Sequence, residues 1–432
     1  MLTQEQNDAL TRTGPGTPGG ELLRRYWQPI ALSDELPVGG DPIPIDILGE
    51  ELVLFRDDQN RVGLLDRHCC HRGTDLSYGR VENGGLRCLY HGWLYDVNGC
   101  CLEQPLEPKE LNFKDKVRQP SYPVVERAGA FFAYMGPLPA PEFPDFDFFT
   151  FPAGNLHSHK VFLDCNYMQA NEGNYDPAHV GQLHRAFDPN RKPGLNFGSL
   201  KTLGVSTEGA VIEPYETPKL KVENTKFGLR IFQIRSGGPG RTYLRVTAYG
   251  MPNWSVIAGP QGGDGHIGIW HVPIDDYSHW RWHFSVRRDA PLDHTSRMAQ
   301  NRSTDEYVDR FHHARTAKNR YRQDRSKFAE NFTGMGRNFN VHDAFATESQ
   351  GAIQDRTKEH LATSDLAVAA ARRMMLRGIE DIKAGKDPVG VVRDKAANDF
   401  HDLRSFDALI AENADLGEVV RQVVEPPAQA AE

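Results

Sequence analysis

The sequence predicts an α+β protein in which an all-β domain precedes a mixed α+β domain, and three observations indicate this. The chain has 432 residues, more than a single domain of about 150 residues. Short strand-like segments separated by turns extend from Pro44 to about Gly136, whereas helical and hairpin patterns follow later. The segment Pro137–Pro144 holds four prolines, which favours an extended connection. We expect a lead-in at 1–23, the all-β domain at 24–140, the mixed domain at 141–400 and a tail at 401–432.

The composition argues against several classes of protein. The 50 basic and 58 acidic residues give a net charge of −8, and such a surface repels the phosphates of nucleic acids. A membrane-spanning helix needs about 20 consecutive apolar residues, and no such run is present. The first residues lack the apolar core of a signal peptide, so we expect a cytoplasmic protein. The six cysteines are then expected to be thiols or metal ligands rather than disulfides.

The first elements along the chain are a glycine- and proline-rich opening and two strands. The letters of a dinucleotide-binding loop occur at Gly14 to Gly19, but Pro15 and Pro18 remove amide donors that a phosphate needs. We therefore expect an irregular lead-in without a nicotinamide site. The apolar segments 47–55 and 62–65 flank turn-forming residues, which predicts two strands of the all-β domain.

The mixed domain is predicted to begin with helical sequence from Met168 to Arg185 and to continue with hairpins at 220–235 and 266–286. Alternation within the second hairpin indicates a buried aromatic face formed by Trp280, Trp282 and Phe284. The pair His312 and His313 is expected on a helix surface.

A late helix carries the clearest start and stop signals of the chain. Ser364 is expected to cap its first turn, and Gly385 with Pro388 to end it. Its apolar stripe is predicted at Leu366, Ala370, Met374 and Ile379.

Four metal-type residues occur as two similar pairs in the all-β domain. Cys69 and His71 form a C-x-H pair, and Cys88 and His91 form a C-x-x-H pair. A structural zinc site usually takes its cysteines from one knuckle and its histidines from another, whereas each segment here supplies one of each. Two cysteines on one iron and two histidines on the other describe a Rieske [2Fe–2S] centre, which this arrangement favours.

Alternatives to the iron–sulfur interpretation stay open at this point. A structural zinc site is the main one. The other cysteines, Cys70, Cys100, Cys101 and Cys165, are expected to be free thiols, and His68 a neighbour rather than a ligand.

A second cluster of metal-type residues follows in the helical segment, with the pattern E-x3-D-x2-H-x4-H from Glu172 to His184. On a regular helix His179 and His184 would diverge by about 140°, so binding one metal requires a distorted helix. Pro177 and Gly181 permit such a distortion. Two histidines with one carboxylate form the facial triad of non-haem iron oxygenases, and Asp176 could accept an imidazole N–H of one ligand.

The two motifs in this order resemble the oxygenase subunits of Rieske non-haem iron ring-hydroxylating oxygenases, in the phthalate dioxygenase-like branch. The resemblance implies an N-terminal Rieske domain of antiparallel sheets and a catalytic domain of the helix-grip type, with an antiparallel sheet flanked by helices. It also implies that a [2Fe–2S] cluster is held by Cys69, His71, Cys88 and His91, and a mononuclear Fe(II) by His179 and His184.

The third iron ligand implied by the resemblance is a carboxylate far downstream. The stretch Asn338 to Gln350 resembles that region, and Asp343 is the predicted ligand. Glu348 and Asp355 are alternatives. His342 and His360 are expected to be surface or packing histidines.

The resemblance further implies how subunits cooperate. In a head-to-tail homotrimer, Asp176 would link His91 of one subunit to His179 of the next, and an isolated monomer would be inactive. Whether trimers stack into hexamers stays open.

The implied reaction uses O2 and electrons from NADH, which reach the cluster through a separate reductase of a flavin and [2Fe–2S] type. The main hypothesis is ring dihydroxylation of a small aromatic acid, similar to phthalate or chlorobenzoate. The alternative is O-demethylation of methoxybenzoates or lignin-derived biaryls. An alternative of another class is a Rieske electron carrier without its own catalysis.

A carboxylate on the substrate would need a cation. Six lysines and arginines lie in the predicted hairpins around 219–245, and we expect most of them to be solvated strand residues. By resemblance, Lys219 and Arg245 are the candidate substrate residues.

Overall fold

The structure is a computed structural model that describes residues 1–185, 200–212, 217–259, 264–292, 307–336 and 338–424. Its N-terminal part is all-β, as predicted. The strands are β1 (Gln28–Leu32), β2 (Ile43–Ile47), β3 (Glu50–Arg56), β4 (Val62–Asp66), β5 (Arg80–Glu82), β6 (Gly85–Arg87), β7 (Leu94–Tyr95), β8 (Cys101–Glu103), β9 (Ser121–Tyr122), β10 (Val124–Arg127) and β11 (Ala130–Ala133). They form three antiparallel sheets with the orders β1-β11-β10, β2-β3-β4-β9 and β5-β6-β7-β8.

The predicted strand 47–55 is divided in two. Leu48 and Gly49 have φ angles of +53° and +74°, so the chain turns there and β2 pairs with β3 as a hairpin. The predicted strand 62–65 is β4. The third sheet places two loops side by side, one between β4 and β5 and the other between β6 and β7.

The second part is built on one large sheet. Its strands are β12 (Leu156–Leu163), β13 (Leu200–Leu203), β14 (Lys219–Asn224), β15 (Gly228–Ser236), β16 (Arg241–Gly250), β17 (Trp254–Gly259), β18 (Gly265–Pro273), β19 (His279–Arg287) and β20 (Phe406–Ala411). The order is β12-β19-β18-β17-β16-β15-β14, and β20 joins β16 on one side and β13 on the other. The two predicted hairpins are the antiparallel pairs β14–β15 and β18–β19.

The two faces of this sheet have different roles. Trp282 and Phe284 share the outer face, where Phe284 stacks on Phe132 of β11 with ring centroids 5.7 Å apart. Both side chains are buried, whereas the third predicted member of this face, Trp280, is half-buried. Because successive residues point to opposite faces, Arg281 and His283 lie on the inner face. The inner face therefore carries buried polar side chains.

Helices cover the inner face and the ends of the sheet. They are α1 (Gln4–Thr11), α2 (Pro18–Arg24), α3 (Tyr167–Tyr175), α4 (Val180–Leu183), α5 (Phe339–Glu348), α6 (Leu366–Lys383) and α7 (Leu416–Val424). None of the helices in the described ranges has the length and apolar character needed to cross a bilayer. The α+β prediction is confirmed, with α3, α5 and α6 packed near the metal-type residues.

The late helix exists, but its predicted details are partly wrong. It begins at Leu366, and Ser364 lies in a preceding 3-10 turn instead of capping it. Leu366 is 39% exposed, whereas the neighbouring Ala367 is buried. A Cβ atom at Gly378 would lie 3.0 Å from Leu22 of α2, so small residues set the packing face of this helix. Gly385 follows the helix with a φ of +72°, as its stop signal predicts.

Within the described residues, the two predicted terminal segments contain helices and a strand. The predicted irregular lead-in contains α1 and α2, and Thr17 caps α2 with Pro18 in its first turn. The predicted tail from residue 401 supplies β20 and α7, because β20 completes the sheet beside the first half of β16. Residues 425–432 lie outside the described part. The prediction for His312 and His313 is also wrong: they lie in an irregular segment, with His312 half-buried and His313 buried.

Candidate functional site

Cys69, His71, Cys88 and His91 meet at the tip of the all-β domain. The imidazole rings of His71 and His91 lie 4.5 Å apart between centroids, and Trp93 stacks on His71 at 4.3 Å. Both cysteines are 3% exposed, whereas both histidines are half-buried. Two thiols therefore face the interior and two imidazoles face the surface.

The two loops have equivalent backbone structures. Gly73 donates its N–H to the carbonyl of Cys69 at 2.7 Å, and Gly92 donates to that of Cys88 at 3.1 Å. In each case the glycine follows the cysteine by four residues. The glycines have φ angles of +76° and +75°, which residues with a side chain rarely adopt. Each loop thus turns back on its own cysteine.

Tyr95 and Gln119 support these loops, and neither was predicted from the sequence. The Tyr95 hydroxyl lies 3.1 Å from the Cys69 Sγ atom. The Gln119 side chain accepts from the Cys70 N–H and donates to the His68 carbonyl. Burial, above all, raises the pKa of the Cys69 thiol. The position of Tyr95 in the sequence gave one indication of this role, because it lies on β7, directly after the loop that holds Cys88 and His91.

The cysteines outside the two motifs are free thiols, as expected. His68 bonds through its ring to the carbonyl of Gly73 and the carboxylate of Glu51. This matches its predicted role as a neighbour.

The second motif adopts the distorted helix that its spacing requires. Helix α3 ends at Tyr175, Asp176 is extended with φ −79° and ψ 111°, and α4 begins at Val180. The Asp176 carboxylate accepts the N–H of Ala178 at 2.7 Å and so stabilises the turn. His179 and His184 consequently face the same point.

Asp343 of α5 completes this cluster. Its Oδ1 atom lies 3.2 Å from Nε2 of His184 and 3.9 Å from Nε2 of His179. One ligand atom from each of these three residues lies within 4.8 Å of the other two. Arg281 donates to the second oxygen of Asp343 at 3.1 Å, so Oδ1 is left to face the histidines.

The two alternative carboxylates have other roles. Glu348 accepts the N–H of Asp164 and the hydroxyl of Tyr321. Asp355 is exposed and accepts from Thr357. Neither joins the cluster of His179, His184 and Asp343.

Charge keeps the carboxylates of this site ionised. Burial alone would raise the pKa of Asp343, but the facing His184 and Arg281 outweigh it and hold this pKa well below its usual range. In the same way, His179 holds the pKa of Asp176 below its usual range against the effect of burial. The Nδ1 atom of His179 lies 3.4 Å from Oδ2 of Asp176. The site thus presents anionic oxygens beside imidazoles, a donor set suited to a divalent cation.

A buried ion-pair network anchors α3 and was not predicted. Glu172 pairs with Arg356 at 3.0 Å and with Arg372 of α6, and Arg372 also pairs with Glu359. The Arg356 side chain is fully buried. The network lies one turn before Asp176, so it fixes the end of α3 that carries the second motif.

A cavity of about 270 Å³ adjoins the cluster and is lined partly by Asp176, His179, Arg281 and Asp343. Neither of the two predicted substrate residues is among its described lining residues. Lys219 is exposed on the edge strand β14, on the outer face. Arg245 is buried on the inner face, 3.4 Å from Asp407.

The chain matches two protein families over most of its length. Residues 26–123 match the Rieske [2Fe–2S] domain, and residues 133–430 match the family described as LigXa C-terminal domain like. The chain is a Rieske non-haem iron oxygenase subunit. Members of this family are oxidoreductases of class EC 1.14. The zinc-site and electron-carrier alternatives are therefore wrong.

Relatives of this Rieske oxygenase subunit span both predicted reactions. It is 36% identical to a 5,5'-dehydrodivanillate O-demethylase oxygenase subunit from a Sphingobium species, over 92% of this chain and 85% of the relative. It is 35% identical to a phthalate 4,5-dioxygenase oxygenase subunit from Pseudomonas putida, over 96% and 94%. It is 32% identical to a 3-chlorobenzoate-3,4-dioxygenase oxygenase subunit from Comamonas testosteroni, over 90% and 92%.

Solved structures agree on the fold. A dicamba monooxygenase structure bound to dicamba superposes with a TM-score of 0.59 at 19% identity, covering 84% of this chain and 99% of that one. As a Rieske oxygenase subunit, the chain uses a [2Fe–2S] cluster, mononuclear iron and electrons that NADH supplies through a reductase. It therefore needs a separate electron-transfer partner.

Proposed function

We propose that this chain oxidises a small aromatic acid with O2, by ring dihydroxylation of a phthalate- or chlorobenzoate-like substrate. The observation that carries the proposal is the convergence of His179, His184 and Asp343 in a chain that also presents two Cys/His loops. Iron bound there would activate O2 for attack on the ring. O-demethylation is the second candidate, because a demethylase subunit is as similar to this chain as a phthalate dioxygenase subunit.

The proposed ligands of the mononuclear iron fit a divalent cation. Ligands about 2.1 Å from an ion in octahedral geometry lie about 3 Å apart on adjacent corners. The 3.2 Å between His184 Nε2 and Asp343 Oδ1 is close to this spacing, and His179 is 3.9 Å away. Arg281 occupies the second oxygen of Asp343, which favours a single iron–oxygen bond and leaves positions open.

The proposed cluster ligands fit a Rieske centre. The buried thiols of Cys69 and Cys88 suit the inner iron, and the half-buried rings of His71 and His91 suit the outer one. The histidine side of the cluster faces the surface of the chain, so electrons can leave the cluster there. The electron donor to the cluster is proposed to be a separate reductase with flavin and [2Fe–2S] groups.

The surface around the cluster supports a subunit contact there. Leu89 and Tyr90, beside His91, are 58% and 56% exposed, and Phe113 is 43% exposed. Apolar side chains in one exposed patch favour a protein partner. We assign this patch to the next subunit of a head-to-tail homotrimer, or of a hexamer of two trimers, with Asp176 between His91 of one chain and His179 of the other.

The substrate carboxylate needs a cation near the iron. Of the two predicted residues, Arg245 has the better position, because it lies on the same sheet face as Arg281 and is buried. Lys219 points away from that face. Arg245 is therefore the proposed partner of the substrate carboxylate.

The protein is proposed to be cytoplasmic. Thiols stay reduced in the cytoplasm, which suits cysteine ligands of an iron–sulfur cluster.

The experiment that tests this function is a product assay with the purified protein, a Rieske oxygenase reductase, NADH and O2. Phthalates and chlorobenzoates are expected to yield dihydrodiols. Formaldehyde from methoxybenzoates or biaryl methoxy acids would instead establish the demethylase. NADH oxidation without product from any of these acids would overturn the aromatic-acid proposal.

A further inference from the structure

The first turn of α5 contacts His184 on three sides. Phe339 stacks on its ring with centroids 4.4 Å apart, His342 faces its Nδ1 atom at 3.2 Å, and Asp343 faces its Nε2 atom at 3.2 Å. Residues three and four apart share one side of a helix, so one turn presents all three groups. His184 and His342 are 8% and 2% exposed, respectively. Water therefore has little access to the bond between them.

The bond joins two Nδ1 atoms, so one ring must donate and the other accept. The surroundings of the second nitrogen of His342 decide which of the two rings donates. Its Nε2 lies 3.1 Å from the carbonyl oxygen of Gly336 and 3.1 Å from the hydroxyl of Thr333. A carbonyl oxygen only accepts, so Nε2 of His342 carries the proton and its Nδ1 is the acceptor. His184 consequently donates from Nδ1 and has a lone pair on Nε2.

We propose that His342 is a positioning residue that fixes His184 as an iron ligand through Nε2. This inference rests on the proposed function, since it takes His184 to be a ligand. The chain of bonds runs from the Gly336 carbonyl through His342 to His184, and each donor has an acceptor. The opposite arrangement would place a lone pair of His342 against the Gly336 carbonyl, and the proton on His184 Nε2 would leave that atom no lone pair for a metal.

The proposal corrects the expectation that His342 is a packing residue alone. Removing its acceptor leaves the N–H of a buried ligand unsatisfied and its ring free to rotate. Outer partners of this kind typically contribute about 10- to 100-fold to metal affinity. We expect a loss in that range.

The test compares two substitutions of nearly equal shape. His342→Asn keeps an acceptor oxygen close to the position of Nδ1, whereas His342→Leu has none. Iron affinity is measured by competition with a ferrous chelator, and the cluster's paramagnetic signal in the same chain reports that the protein is folded. We expect a loss of about 10- to 100-fold in mononuclear iron affinity for Leu and only a few-fold for Asn.

His266→Leu is the matched control, because His266 is buried in the same domain but bonds to Arg288 on the outer face. Its mononuclear iron affinity is expected to stay unchanged. If His342→Leu does not fold, His342→Phe supplies a ring without an acceptor. Equal affinity for the Asn and non-acceptor variants would overturn the inference. Iron retained by Asp343→Ala would instead reject the proposed ligand set.

Discussion

The hydroxyl of Tyr95 lies 3.1 Å from the Sγ atom of Cys69. Burial and the neighbouring thiols raise the pKa of Tyr95, so the hydroxyl keeps its proton and donates to sulfur. A hydrogen bond to a cluster thiolate stabilises the reduced, more negative state. This contact therefore raises the reduction potential of the proposed Rieske centre.

Tyr95→Phe is expected to lower that potential. The hydrogen bond is expected to stabilise the reduced cluster by about 1 kcal/mol, and losing this stabilisation corresponds to roughly 40 mV for a one-electron couple. Redox titration followed by the cluster's paramagnetic signal measures the shift. Tyr122→Phe, which removes a half-buried hydroxyl bonded to Glu50, serves as the control. Equal potentials in wild type and Tyr95→Phe would show that this contact does not act on the cluster.

Asp343→Ala is expected to lose the mononuclear iron and keep the cluster, because it removes the carboxylate that faces both histidines. Metal analysis should fall from about three irons per chain to about two, the two of the cluster. Glu348→Gln is the comparison, since Glu348 was the alternative ligand and bonds elsewhere. Iron loss in the Glu348 variant alone would reverse the assignment.

Electron transfer between subunits is expected to make two inactive variants complement each other. Cys69→Ser removes a proposed cluster ligand and Asp343→Ala a proposed iron ligand, so each variant alone is expected to be inactive. In mixed oligomers of the proposed head-to-tail trimer, an intact cluster of one chain would lie beside an intact iron site of the next. Co-expressed and tagged chains, purified as mixed oligomers, should regain part of the turnover. Turnover within a wild-type monomer separated by dilution would contradict this.

From the sequence, the spacing of residues within each motif could be predicted better than the contacts between distant segments of the chain. The distortion between His179 and His184 followed from helix geometry, and the structure has it at Asp176. The grouping of Asp343 with these histidines could not follow from spacing, because the two segments are more than 150 residues apart. Resemblance to a family supplied that prediction.

The features that were not predicted depend on contacts between residues far apart in the sequence. Glu172 belongs to the second metal-type motif in the sequence, and only the fold brings Arg356 and Arg372 to it. Residues 401–432 were expected to form a tail, because β20 is a short apolar segment beyond the last helix that the sequence predicted. The pairing of β20 with β16 depends on which edge of β16 is available in the folded sheet, and the local sequence of neither strand shows this.

Glu172→Gln is expected to destabilise the catalytic domain by about 3–5 kcal/mol. The substitution leaves the fully buried Arg356 without a carboxylate, whereas Arg372 keeps Glu359. An unpaired buried charge carries a penalty of this size. The two arginines outweigh burial and hold the pKa of Glu172 below its usual range, so the carboxylate is charged at neutral pH. Thermal unfolding measures the loss. Glu330→Gln, in the exposed pair with Lys327, should show none.

Acid is expected to destabilise the protein well above the pKa range of carboxylates, because several histidines are buried in neutral form. Burial lowers the pKa of His159 from 6.5 to about 3. Burial, and then nearby arginines, lower the pKa of His266 well below its usual value. These side chains take up protons after unfolding but not in the folded state. Their contribution is present above pH 6.5 and falls as the pH falls from there toward about 3 for His159.

Below pH 6.5, each such histidine can lower the free energy of unfolding by up to about 1.4 kcal/mol per pH unit. Denaturant unfolding between pH 7 and pH 5 should therefore show a stability that falls steeply with acid. His266→Gln is expected to reduce the slope by about one proton, because it removes one of the groups that only the unfolded chain protonates. An unchanged slope in this variant, or a flat profile in the wild type, would contradict the assignment of these histidines as neutral buried groups.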